Sequence, residues 1–207
     1  MLDKYEISYL KGFIDQDDLL YFQKYCSEIT EWSDISKEHY VGGMLSSNLE
    51  SKPLYSILHG YELIKDSRII DMFHKYVEKA AKTINELYGI EMNFEKDFNC
   101  INCYRAGHAL PLHGDEGWPG HVLTSPNGFS PITHGVIAYF NDGYTGGDLV
   151  VPWYDKRYKP EAGSLLIIPA GNGNEHLVEP VESGERWIWS TFWAEKNDNT
   201  QTSTGSK

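Results

Sequence analysis

A chain of 207 residues with 41% hydrophobic and 14% aromatic side chains is long enough to bury a substantial core in a single domain. Its formal charge of −12 repels a phosphate backbone, and no basic stripe offsets it, which argues against a nucleic-acid substrate. No apolar run approaches the ~20 residues that span a bilayer, the N-terminus lacks a signal-peptide profile, and three cysteines are too few and odd for a disulfide framework, so a cytoplasmic setting and no membrane partner are expected.

Asp15 to Thr30 places Leu19, Phe22, Cys26 and Ile29 at helical spacing, with Asp15, Asp17 and Asp18 near the positive end of the helix. Asp66 to Tyr88 predicts a second helix, with Ile69, Ile70, Phe73, Val77, Ala80, Ile84 and Leu87 on one face. Asp66 or Ser67 is placed to cap it and Gly89 to end it. Residues 1–95 are therefore expected to form a helical buttress within the same domain.

Beyond residue 97 the pattern changes to short β-rich runs broken by Gly, Pro, Asn and Asp. Strands are expected near 98–105, 109–114, 134–141, 147–153, 163–168, 174–180 and 185–194. Such runs predict a mainly β, α+β architecture: a double-stranded β-helix, or jelly roll, over residues 96–195, with the helices packed on one outer face. Cys100 and Cys103 lie inside a strand pattern, where a redox role is not expected. Residues 116–133 read as a long loop and a candidate substrate lid carrying Trp118 and His121. Residues 196–207 are polar and expected to be a disordered tail.

In an extended strand, side chains at i and i+2 share a face, so His113 and Asp115 can reach one ion, and a distant His176 can close the set. Two imidazoles and one carboxylate make the facial triad of non-haem Fe(II) oxygenases, which leaves coordination positions open for oxygen chemistry. Arg186 lies on a strand otherwise dominated by Trp187, Ile188, Trp189, Phe192 and Trp193. A guanidinium buried there is costly unless an anion answers it, and a carboxylate answers in bidentate fashion. Ser190, four residues on, shares its face and could add a hydrogen bond.

Around these residues stand Cys103-Tyr104-Arg105-Ala106-Gly107 ahead of His113, then Tyr139-Phe140-Asn141-Asp142, Gly146-Gly147-Asp148, Gly163-Ser164-Leu165 and Gly184-Glu185-Arg186. Their order and spacing, over roughly residues 97 to 194, resemble the 2-oxoglutarate and Fe(II)-dependent dioxygenases, most closely the prolyl 4-hydroxylase-like group. The first 95 residues carry no motif of this kind. The resemblance implies Fe(II) on His113, Asp115 and His176, with 2-oxoglutarate and O2 as cosubstrates and ascorbate as a possible reductant. It implies hydroxylation of a carbon centre, in a peptide prolyl residue or in free proline, with release of succinate and CO2. Arg186 takes the place of an anchor that is often lysine in the group, and Tyr104 matches a tyrosine that precedes the His-x-Asp. Asn102 shares the face of Tyr104 and is a weaker candidate for cosubstrate contact. Trp118, His121 and Asp148 are candidate substrate contacts, with Asp148 read as structural first. A nucleic-acid demethylase of the same superfamily would call for a basic groove and an arginine soon after Arg186, whereas the next basic residue is Lys196. A non-enzymatic metal-binding jelly roll would need no Arg186.

Overall fold

The computed structural model describes residues 1–3, 5–30, 32–35, 55–59, 64–93, 100–115, 117–118, 121–122, 132–171 and 173–196. All of the expected tail but Lys196, and most of the expected lid loop, lie outside these residues. Helices α1 (Gln16–Glu28) and α2 (Ser67–Tyr88) form where the apolar periodicity places them. The Asp66 carboxylate accepts from the backbone N–H of Arg68 at 2.9 Å and of Ile69 at 3.4 Å, which answers two otherwise unpaired donors at the start of α2. Gly89 stops α2 in a left-handed conformation, φ 72°, that side chains other than glycine adopt only under strain. Asp15 does not cap α1 with its side chain; its carboxylate, with that of Asp18, takes Lys75 of α2 at 2.6 and 2.7 Å and ties the helices together.

The strands are β1 (Ser8–Leu10), β2 (Ser33–Ile35), β3 (Tyr55–His59), β4 (Met92–Asn93), β5 (Cys100–Arg105), β6 (Leu110–His113), β7 (Gly117–Trp118), β8 (His121–Val122), β9 (His134–Tyr139), β10 (Thr145–Gly146), β11 (Leu149–Val151), β12 (Lys156–Tyr158), β13 (Leu165–Pro169), β14 (His176–Val178), β15 (Val181–Ser183) and β16 (Glu185–Glu195). A major sheet runs β1-β13-β9-β16-β5-β3-β2, with β4 added to β16, and a minor sheet runs β12-β11-β14-β6. The two sheets form the jelly roll. Tyr9 of β1 and Tyr158 of β12 meet edge to face at 6.2 Å, where the sheet edges come together. The first 95 residues are thus not a purely helical layer, because β1, β2, β3 and β4 extend the major sheet. These short strands are completed by pairing with β13, β5 and β16, partners far away in sequence, which local periodicity does not register. Within the expected lid, β7 and β8 pair, with Trp118 opposite His121.

Strand alternation separates two cores. Ile101, Val136, Ala138, Leu165, Ile167, Trp189 and Trp193 face outward and pack with Phe22, Phe73, Val77, Ala80 and Ile84 of the helices. Tyr104, Ile137, Tyr139, Leu166, Ile168 and Ile188 face inward and meet Leu149, Val151 and Val178 of the minor sheet. Phe140, just past β9, stacks on Phe22 at 4.3 Å and seats α1 on the sheet.

Candidate metal and cosubstrate site

Antiparallel pairing of β14 with β6 sets His176 directly opposite His113, and Asp115 follows two residues beyond the end of that pairing. Histidine Nε2 atoms of His113 and His176 lie 3.8 and 3.9 Å from Asp115 Oδ1, and the two rings are 4.4 Å apart. The three residues are 8%, 3% and 5% exposed for His113, His176 and Asp115, and each offers one ligand atom within 4.8 Å of the others. The ring tautomers follow from the backbone. His113 Nδ1 sits 2.8 Å from Pro111 O and His176 Nδ1 3.1 Å from Asn174 O; a carbonyl only accepts, so both rings donate from Nδ1 and turn the Nε2 lone pair toward Asp115.

Burial lowers both imidazoles to about 4 and raises Asp115 to about 6, so the rings are neutral at pH 7. Asp115 Oδ2 is buried with no hydrogen-bond partner among the described residues. Asp115 Oδ1, facing two neutral imidazole lone pairs, completes a donor set that fits a divalent cation. The close approach depends on Gly135 of β9, because a Cβ there would collide with Asp115 Oδ2.

Arg186 is fully buried and stands opposite Tyr104 in the β16–β5 register. Its Cζ lies 4.7 Å from the Tyr104 ring and 5.1 Å from that of Tyr139, and Nη2 donates to Tyr139 Oη at 3.4 Å. Nε and Nη1 have no hydrogen-bond partner among the described residues. An uncompensated guanidinium in a barrel interior calls for an anion. Burial pushes Tyr104 up to about 12, so its phenol keeps its proton and can donate to one. Asn141 positions this strand end: its Nδ2 donates to Glu185 O at 2.7 Å and its Oδ1 accepts from Trp187 N–H at 2.9 Å, which brackets Arg186.

The structure brings Arg186 and Tyr104 together, but it pairs Ser190 elsewhere: Ser190 Oγ accepts from Asn102 Nδ2 at 2.8 Å. Asp148 directs its carboxylate at Arg157, 3.3 Å away, in a surface pair that also involves Glu179. Sequence reading passed over Tyr139 and Gly135. Tyr139 was available from strand alternation in the block it opens; Gly135 was not, since its contribution is an absent side chain.

A jelly roll with two imidazoles and a carboxylate clustered between its sheets, and an unanswered arginine in the same interior, defines a metal-dependent oxygenase class. Residues 100–194 match the model of the 2OG-Fe(II) oxygenase superfamily, which makes that segment a 2OG-Fe(II) oxygenase domain and the protein a dioxygenase that uses Fe(II), 2-oxoglutarate and O2. Solved structures with the same fold include a viral collagen prolyl hydroxylase from Paramecium Bursaria Chlorella virus-1, in complex with 2OG. It is 14% identical at a TM-score of 0.62, over 92% of this chain and 96% of that one. A Pseudomonas putida prolyl-4-hydroxylase is 15% identical at a TM-score of 0.63, over 93% and 94%. A 2OG-Fe(II) oxygenase family oxidoreductase from Burkholderia pseudomallei is 13% identical at 0.66, over 92% and 86%. No curated protein matches the chain in sequence. Among the described residues, no helix is long and apolar enough to cross a membrane.

Proposed function

We propose that His113, Asp115 and His176 hold Fe(II), that Arg186 with Tyr104 and Tyr139 holds the distal carboxylate of 2-oxoglutarate, and that the enzyme hydroxylates a prolyl ring carbon, in a peptide or in free proline. The single observation that carries the cosubstrate assignment is the buried Arg186, with two N–H-bearing nitrogens unanswered among the described residues of the barrel that holds the triad. The prolyl assignment is supported by structural neighbours that are prolyl hydroxylases.

Bound iron and 2-oxoglutarate supply the oxidising power, with succinate and CO2 released and one oxygen atom delivered to carbon. The chain's own part is positional. Neutral His113 and His176, with their tautomers fixed by Pro111 O and Asn174 O, present lone pairs without having to lose a proton. Arg186 fixes the cosubstrate's far end through a rigid fork, and the apolar residues Ile137, Ile168 and Ile188 keep water from the space between. Cys26, Cys100 and Cys103 are free thiols, which supports a reducing, cytoplasmic setting.

The test is an anaerobic titration with Fe(II) and 2-oxoglutarate, read by their visible charge-transfer band. A band that requires both components, and that Arg186→Ala abolishes while iron still binds, is the expected result. An undiminished band in that variant, at the same 2-oxoglutarate concentration, overturns the role given to Arg186.

A further inference from the structure

Among the described residues, the buried polar atoms without a partner include two of opposite kinds in the site. Arg186 Nε and Nη1 are donors, and they match a carboxylate. The Asp115 carboxylate is an acceptor group whose Oδ1 faces the imidazole nitrogens, and it matches a cation. Asn102 is a third case. It occupies the inward face of β5 together with Cys100 and Tyr104, and it is 5% exposed. Its Nδ2 is committed to Ser190 Oγ at 2.8 Å, and Ser190 Oγ in turn lies 3.5 Å from Cys100 Sγ. Its Oδ1 is buried with no hydrogen-bond partner among the described residues. Such an oxygen is costly to leave without a donor, and it fits a donor brought by a bound ligand.

Neither iron nor 2-oxoglutarate is that donor. The 2-oxoglutarate dianion carries only acceptor oxygens, and the cation is taken by the triad. Of the ligands the proposed reaction brings together, the substrate is the one that carries an N–H to offer. An internal prolyl residue has a tertiary amide nitrogen and no hydrogen to offer; its nearest N–H belongs to the following residue. Free proline carries a ring ammonium with two N–H bonds. Resting on the prolyl reading above, we propose that Asn102, braced by Ser190, is a specificity-determining residue whose Oδ1 accepts a hydrogen bond from the ring ammonium of a free cyclic amino acid, so that free proline and not an internal prolyl residue is the substrate class.

Three probes test this: L-proline, the tripeptide Ala-Pro-Gly and 2-oxoglutarate itself, with Asn102→Leu and Asn102→Asp compared against wild type and thermal melting used to verify folding. Succinate release should be stimulated by L-proline and far less by Ala-Pro-Gly. Asn102→Leu should raise the KM for L-proline about tenfold or more, the cost of one lost hydrogen bond to a charged group, while its Kd for 2-oxoglutarate stays within about twofold. Asn102→Asp keeps an acceptor at the same place and should retain L-proline binding better than Asn102→Leu. If Asn102→Asp does not fold, Asn102→Leu and the comparison of the two prolyl probes still decide.

Preference for Ala-Pro-Gly over L-proline overturns this inference and leaves the prolyl reading standing. A tenfold weaker 2-oxoglutarate Kd in Asn102→Leu overturns it too, by moving Asn102 into the cosubstrate site, and so does an unchanged KM for L-proline. Equal losses in Asn102→Leu and Asn102→Asp overturn it by showing that the acceptor oxygen is not what is read. No stimulation by either prolyl compound takes down the prolyl reading and this inference together.

Discussion

The outer and inner faces of the major sheet are made by the same strands, and alternate residues of β16 divide the work. Trp189 and Trp193 point outward into an apolar layer closed by α1 and α2, where Phe73 meets Trp189 at 5.9 Å. Arg186 and Ser190, in register with Tyr104 and Cys100, belong to the inward set, where Arg186 and Asn102 hold polar atoms without a partner among the described residues. The outer face is closed by apolar packing when the chain folds; the inner face holds polar atoms for ligands to answer. The difference teaches that binding capacity here is stored as incomplete hydrogen bonding, held in place by the complete packing behind it.

That contrast can be broken or sharpened by substitution. The largest effect is expected from His176→Ala, which should abolish the Fe(II)/2-oxoglutarate band and all turnover while the circular dichroism spectrum stays native. Next, Arg186→Met should weaken 2-oxoglutarate binding by about a hundredfold or more, yet raise the melting temperature of the ligand-free protein, since a fully buried cation is replaced by an unbranched apolar side chain. A lower melting temperature in that variant would mean that the inner face, too, is complete without ligand. Trp189→Ala on the outer face should do the reverse: lose ~3–5 kcal/mol of stability in denaturant titration, with cosubstrate affinity held at temperatures where the variant is folded.

The smallest effect concerns His134, 3% exposed, on the outer side of β9 beside Tyr88. Burial lowers it to about 4 from 6.5, so the native state excludes a proton that the unfolded chain accepts. Its contribution is therefore fully present above pH 6.5 and is lost as pH falls toward 4, by at most about 3 kcal/mol. His134→Gln should flatten the stability-versus-pH curve by that amount relative to wild type, and superimposable slopes would show that His134 is proton-accessible in the folded state.

What could be read from the sequence was what local chemistry writes locally. The apolar stripe of α2, the Asp66 cap and the Gly89 stop all lie within one segment, and the same-face spacing of His113 and Asp115 needs only strand geometry. An arginine among tryptophans advertised Arg186. What stayed hidden depends on register between distant strands. Asn102 meets Ser190 across 88 residues and Arg186 meets Tyr139 across 47, so neither pair has a local signature. The edge strands β1 and β2 are three residues each, too short for alternation to stand out, and exist because β13 and β3 offer them free backbone groups.

The two backbone carbonyls that orient His113 and His176 have a consequence for metal traffic. With both tautomers set by Pro111 O and Asn174 O, the two rings of the proposed iron site are oriented before any ion arrives. Such nitrogen and oxygen donors rank Co(II), Ni(II) and Cu(II) above Fe(II) in intrinsic affinity. The choice of iron is then made by supply and not by the cage. Cobalt or nickel salts should displace iron and silence the enzyme while the chain remains folded, and restoring activity should take a chelator and fresh iron, not a refolding step.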